Sequence, residues 1–108
     1  MSAPQETLEL VRQQIDAVDR DLAVLLFKRL SLCQEVARIK AVLNLQVLDV
    51  AREETVLKSV CSVTSDEVLA SAIAKVYQQI LQSSRWLQAT SSHLIGDEDD
   101  YIHDIDSP

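Results

Sequence analysis

From Leu8 to Leu43 the chain contains no proline or glycine, and its apolar residues recur at helical spacing. Leu8, Ile15, Leu22, Val36 and Leu43 fall on one seven-residue seam, and Val11, Val18, Leu25, Leu32 and Ile39 on a second. The pattern predicts one helix over about residues 5–43, roughly 58 Å long at 1.5 Å per residue. A compact domain of 100 residues has a radius of gyration of only about 13 Å. Most of the seam therefore stays wet in a single chain. A second copy laid alongside would cover it, so an obligate homodimer is expected.

The remainder also reads as helix. The 108 residues make one small domain, with one glycine and two prolines to punctuate turns, too few for a β-protein of this size. The pattern breaks at Asn44 and restarts at Asp49, a good N-cap for a short helix over about 50–61. Val56, Leu57, Val60 and Cys61 are its inward residues. Thr64-Ser65-Asp66-Glu67 matches a capping box, with Thr64 as the cap, ahead of a helix over about 65–91. The apolar stripe of that helix is read as Leu69, Ile73, Val76, Ile80 and Leu87. The expected architecture is all-α, three helices per chain, one of them very long, forming an intertwined helical homodimer. Residues 1–92 are the helical domain, and 93–108 an acidic, disordered C-terminal tail.

Charge and cysteine usage narrow the classes of function. The net charge is −7, but Asp97, Glu98, Asp99, Asp100, Asp104 and Asp106 account for −6, leaving residues 1–96 at −1. A near-neutral body with an acidic tail lacks the basic face that nucleic acid requires. Docking on a basic partner surface and repulsion of an anionic substrate are alternative uses for the tail. Cys33 and Cys61 read as buried thiols on apolar faces. The N-terminus shows no basic region followed by an apolar one, and no apolar run approaches the ~18 residues of a membrane span. A soluble cytoplasmic protein is expected, with no membrane partner. His93 and His103 read as solvated side chains.

One charge interrupts the first seam. Arg29 occupies the position between Leu22 and Val36 where a leucine belongs. A guanidinium stays charged in a protein, and burying it unpaired is costly. Its partner is therefore an anion, either a protein carboxylate or a ligand. Lys40, eleven residues on, projects within roughly 20° of Arg29. Arg12 lies about 100° around the axis, poorly placed to serve the same site on its own chain, whereas in an antiparallel or crossed dimer Arg12 of the partner subunit could reach it. On the third helix Ser84 and Gln88 share a face at the i, i+4 spacing, where apolar residues belong. Arg52 and Glu53 open the second helix. These residues include no nucleophile–histidine pair, metal cluster or phosphate loop. Cations with neutral donors suit a polyanionic substrate whose reaction needs shape and electrostatics alone. No metal and no cofactor is expected.

These residues fall in strings that resemble a known family. Residues 8–29, LELVRQQIDAVDRDLAVLLFKR, resemble the first helix of the all-α chorismate mutases. So do Val36-Ala37-Arg38-Ile39-Lys40, then Val47-Leu48-Asp49-Val50-Ala51-Arg52-Glu53, then the run from Ile80 through Ser84 to Gln88. The four pieces occur in order and together span about residues 6–90.

The resemblance implies an intertwined helical homodimer that converts chorismate to prephenate, on the route to phenylalanine and tyrosine. It implies that Arg29, with Arg12 contributed across the dimer interface, grips the substrate carboxylates. Arg52 and Ser84 complete those contacts. Lys40 and Gln88 would donate to the ether oxygen, while Glu53 and the Asp49 backbone hold the ring hydroxyl. Lys40, Gln88, Arg29 and Glu53 are the catalytic group in this scheme. Isochorismate-pyruvate lyase shares this fold and cationic site, and is the enzymatic alternative. A non-catalytic helical dimerisation module is the alternative from another class. A second form of that alternative, which this length permits, is a subunit activated by another shikimate-pathway enzyme.

Overall fold

The computed structural model describes residues 3–93, and their side chains through residue 90. The expectations for the acidic tail, for His103 and for the His93 side chain lie outside these residues. Three helices occur in the order α1 (Pro4–Leu43), α2 (Val50–Cys61) and α3 (Glu67–His93), with no strand among the described residues. The all-α expectation holds, and the α1 and α2 limits agree with the sequence reading to within a residue.

The structure forms two compact units, one ending at Leu32 and the other beginning at Cys33. The first unit is the N-terminal part of α1. Its seam residues Leu8, Ile15, Leu22 and Leu25 are all exposed. The second unit holds the end of α1 together with α2 and α3. There the buried residues of α1 are Cys33 and Ala37, while Val36, Ile39 and Leu43 remain exposed. The face of α1 that packs within its own unit is thus rotated away from both heptad seams.

The end of α1 is set by one residue. Asn44 adopts a left-handed conformation with φ of 57°. Its N–H donates to Ala41 O at 3.2 Å, and the Leu45 N–H reaches back to Lys40 O at 2.8 Å. That pair of bonds is the Schellman arrangement, which satisfies the last carbonyls of a helix. Asparagine accepts a positive φ with less strain than most residues, which is why the chain turns here without glycine.

Helices α2 and α3 pack on one another. The Cys61 thiol lies 3.7 Å from Ala70 O near the connecting turn, while Glu53 reaches Arg85 farther along. The two contacts run in opposite order along the helices, so the pair is antiparallel. On α2 the half-buried residues are Glu53, Val56, Leu57, Val60 and Cys61. The four predicted apolar positions therefore face inward, and Glu53 shares their face.

Two expectations for α3 need correction. The helix begins at Glu67, and its cap is Asp66 rather than Thr64. Asp66 Oδ1 accepts from Val68 N at 2.9 Å and Leu69 N at 3.1 Å, whereas Thr64 Oγ1 accepts from Asp66 N. An aspartate before the first helical residue satisfies two orphan N–H groups and places negative charge at the positive end of the helix. Glu67 is then the first helical residue, outside the capping-box position that reaches back. The inner stripe also differs. Ile73, Ile80 and Leu87 turn inward, but Leu69 and Val76 are exposed, and Leu81, Ser84 and Gln88 join the buried set. α3 carries more than one apolar row, and packing selects between them.

Candidate active site

Six of the eight residues singled out in the sequence belong to the second unit: Lys40, Asp49, Arg52, Glu53, Ser84 and Gln88. Arg12 and Arg29 belong to the first, Arg12 exposed and Arg29 half-buried.

The start of α2 positions three of them. Asp49 has extended backbone, and its carboxylate accepts from Arg52 N at 3.0 Å. Its carbonyl accepts from Glu53 N at 3.0 Å. A single capped turn therefore fixes the directions in which Arg52 and Glu53 leave the helix. Arg52 and Asp49 are exposed, while Glu53 points toward α3.

Lys40 lies in the last turn of α1 and is half-buried. Its ammonium donates to the Val47 carbonyl at 2.7 Å. An ammonium has three donors, so this bond orients the nitrogen and leaves two hydrogens for another acceptor.

On α3, Ser84 and Gln88 are the buried polar residues among those described, at 4% and 8% exposure. The Ser84 hydroxyl donates to Ile80 O at 2.7 Å. Gln88 Oε1 is buried with no hydrogen-bond partner. Leaving such an atom unsatisfied costs about 1–3 kcal/mol. A glutamine in an apolar stripe thus destabilises the protein unless something arrives to bond it. Amide oxygen and nitrogen are exchangeable by rotation, so the buried group can present a donor as readily as an acceptor.

The residue that sequence reasoning missed is Arg85. Its Nη1 donates to Glu53 Oε1 at 2.5 Å, an ion pair that joins α3 to α2 across 32 residues of sequence. Arg85 lies between Ser84 and Gln88 in the run that carries the family resemblance, but no local spacing links it to Glu53. Among the described residues, no group of three or more histidine, cysteine, aspartate or glutamate side chains is placed to hold a metal ion. No described helix is long and apolar enough to cross a membrane.

The second unit thus carries a buried neutral amide on α3, a lysine with donors to spare at the end of α1 and a carboxylate held between α2 and α3. Comparison with known proteins gives the chain a family. Residues 11–89 match the family described as chorismate mutase type II, and the chain belongs to it. A solved structure of a conserved hypothetical protein from Pyrococcus furiosus is similar, with a TM-score of 0.64 and 33% identity, covering 81% of this chain and 99% of that one. No curated protein matches the chain in sequence.

Proposed function

We propose that this protein is a chorismate mutase, catalysing the Claisen rearrangement of chorismate to prephenate in aromatic amino acid biosynthesis in the cytoplasm. The observation that carries the proposal is Gln88, a buried amide on α3 whose hydrogen bonding is incomplete within the chain. With the amide rotated so that Nε2 stands at that point, a ligand oxygen there accepts a hydrogen bond from it. Family membership supplies the ligand's chemistry.

The reaction is unimolecular: the ether C–O bond breaks as a C–C bond forms, with no proton transfer and no covalent intermediate. The protein then has two tasks. It holds the substrate with its two reacting ends in contact. It also stabilises the negative charge that grows on the ether oxygen. Lys40 and Gln88 serve that oxygen, since donors aimed at developing charge are typically worth 10²–10³ in rate each. Arg29, Arg52 and Ser84 bind the substrate carboxylates, joined by Arg12 of the partner subunit. Glu53 and the Asp49 backbone hold the ring hydroxyl. No cofactor or metal enters the scheme.

The dimer in this proposal is supported by the exposed seams of α1. Leu8, Val11, Ile15, Val18, Leu22, Leu25, Leu32, Val36, Ile39 and Leu43 are all exposed in the single chain. Monomeric proteins seldom leave so many large apolar side chains of one helix in water. A second copy covers it and brings its own Arg12.

The test is direct. Purified protein is incubated with chorismate, and separately with isochorismate. Consumption of chorismate with prephenate as product supports the mutase. Release of pyruvate from isochorismate, with chorismate untouched, replaces it with the lyase. Turnover of neither leaves the helical dimerisation module as the reading.

A further inference from the structure

Glu53 raises an electrostatic difficulty in the site proposed above. A carboxylate there opposes the binding of a substrate that carries two carboxylates of its own. It is also a long side chain whose rotamers leave the direction of its oxygens undetermined. Arg85 answers both. Its guanidinium engages Oε1, and the two side chains are only partly exposed, at 34% for Arg85 and 22% for Glu53. The pair spans two helices rather than neighbouring turns of one, so its geometry is set by the packing of α2 on α3. Arg85 follows Ser84 directly and stands three residues before Gln88, so it flanks the buried polar face of α3.

We propose that Arg85 is a positioning and charge-compensating residue for the reaction. By holding Glu53 Oε1 it leaves Oε2 to accept the substrate hydroxyl, and its positive charge offsets the carboxylate against the dianionic substrate. It acts through Glu53 rather than by touching substrate. This inference rests on the mutase reading of the site.

The experiment is a double-substitution cycle on the full chain, with kcat, KM and melting temperature measured for each protein. Arg85→Met keeps the apolar stem of the side chain while removing the charge. It is expected to raise KM on the order of tenfold, the scale of coupling seen between contacting charged groups. The effect on kcat is expected to be smaller. Arg85→Lys, which restores the charge without the fork, is expected to recover part of the loss. In a Glu53→Gln background, Arg85→Met is expected to add nothing further to KM, because both the charge to be compensated and the anion to be held are gone.

Two results overturn the inference while leaving the mutase reading intact. A tenfold rise that persists in the Glu53→Gln background shows that Arg85 contacts substrate itself. A lowered melting temperature with unchanged KM shows that the pair only fastens α2 to α3. Failure of the unsubstituted protein to rearrange chorismate is a different outcome, which ends both readings together.

Discussion

The Lys40 ammonium donates to the Val47 carbonyl at 2.7 Å, closing the connection between α1 and α2. The same lysine supplies its backbone carbonyl to the Leu45 N–H at the helix end. Lys40 is thereby held at both ends, and the held ammonium still has hydrogens to give. Lys40→Ala is expected to lower kcat by about 10²–10³, the usual consequence of removing one donor from developing negative charge. Initial rates on saturating chorismate measure this. A kcat close to that of the unsubstituted protein ends the assignment of Lys40 to the ether oxygen.

Asn44 determines where the long helix stops and hence where Lys40 and the following connection lie. Its positive φ is the reason a β-branched residue fails there. Asn44→Val is expected to destabilise the protein by about 1–2 kcal/mol, and Asn44→Gly to be neutral or slightly stabilising. Thermal unfolding of the three proteins orders them. Equal melting temperatures for Asn44→Val and Asn44→Gly contradict the left-handed turn.

The cap of α3 distinguishes two adjacent polar residues. Asp66→Ala removes the acceptor for two backbone N–H groups and is expected to cost about 1 kcal/mol, within the range for N-cap deletions. Thr64→Ala removes only one acceptor outside the helix and is expected to cost less. Urea denaturation of both variants ranks them. A larger loss for Thr64→Ala restores the capping box read from the sequence.

The sequence disclosed much of this architecture, and its failures have identifiable causes. The limits of α1 and α2 were legible because an unbroken apolar period ends at Asn44 and an aspartate cap stands at Asp49. Gln88 and Ser84 were legible because polar residues interrupt an apolar face, a local fact. Leu69 and Val76 were misplaced because a period states that a helix has an apolar face, not which of two rows a neighbouring helix covers. The Arg85–Glu53 pair was invisible because it depends on the rotation of α2 and α3 about their own axes. No spacing along one chain encodes that.

The exposed seam of α1 gives a prediction about assembly. Leu25 is 59% exposed in the single chain, so a charged side chain there meets no clash within it. In the proposed dimer the same position is covered. Leu25→Glu is expected to shift the protein from dimer to monomer in sedimentation equilibrium and to abolish activity, since each site of the proposed dimer takes Arg12 of the partner subunit. An unchanged dimer with full activity places the interface elsewhere.

Gln88 offers a test by pH. A glutamine amide donates a hydrogen bond at any ordinary pH, so kcat of the unsubstituted protein is expected to vary little between about pH 6 and 8. In Gln88→Glu the donor exists only while the carboxyl is protonated, and an unperturbed glutamic acid loses its proton at about pH 4.3. Falling pH restores the donor and rising pH converts it to an anion that, in the proposed complex, repels the charge growing on the ether oxygen. Activity of the variant is therefore expected to climb toward acid and to fall well below that of the unsubstituted protein at pH 8. A rate–pH profile from pH 4.5 to 8.5 on both proteins separates the cases. A flat profile for Gln88→Glu means that residue 88 does not serve the oxygen on which charge develops.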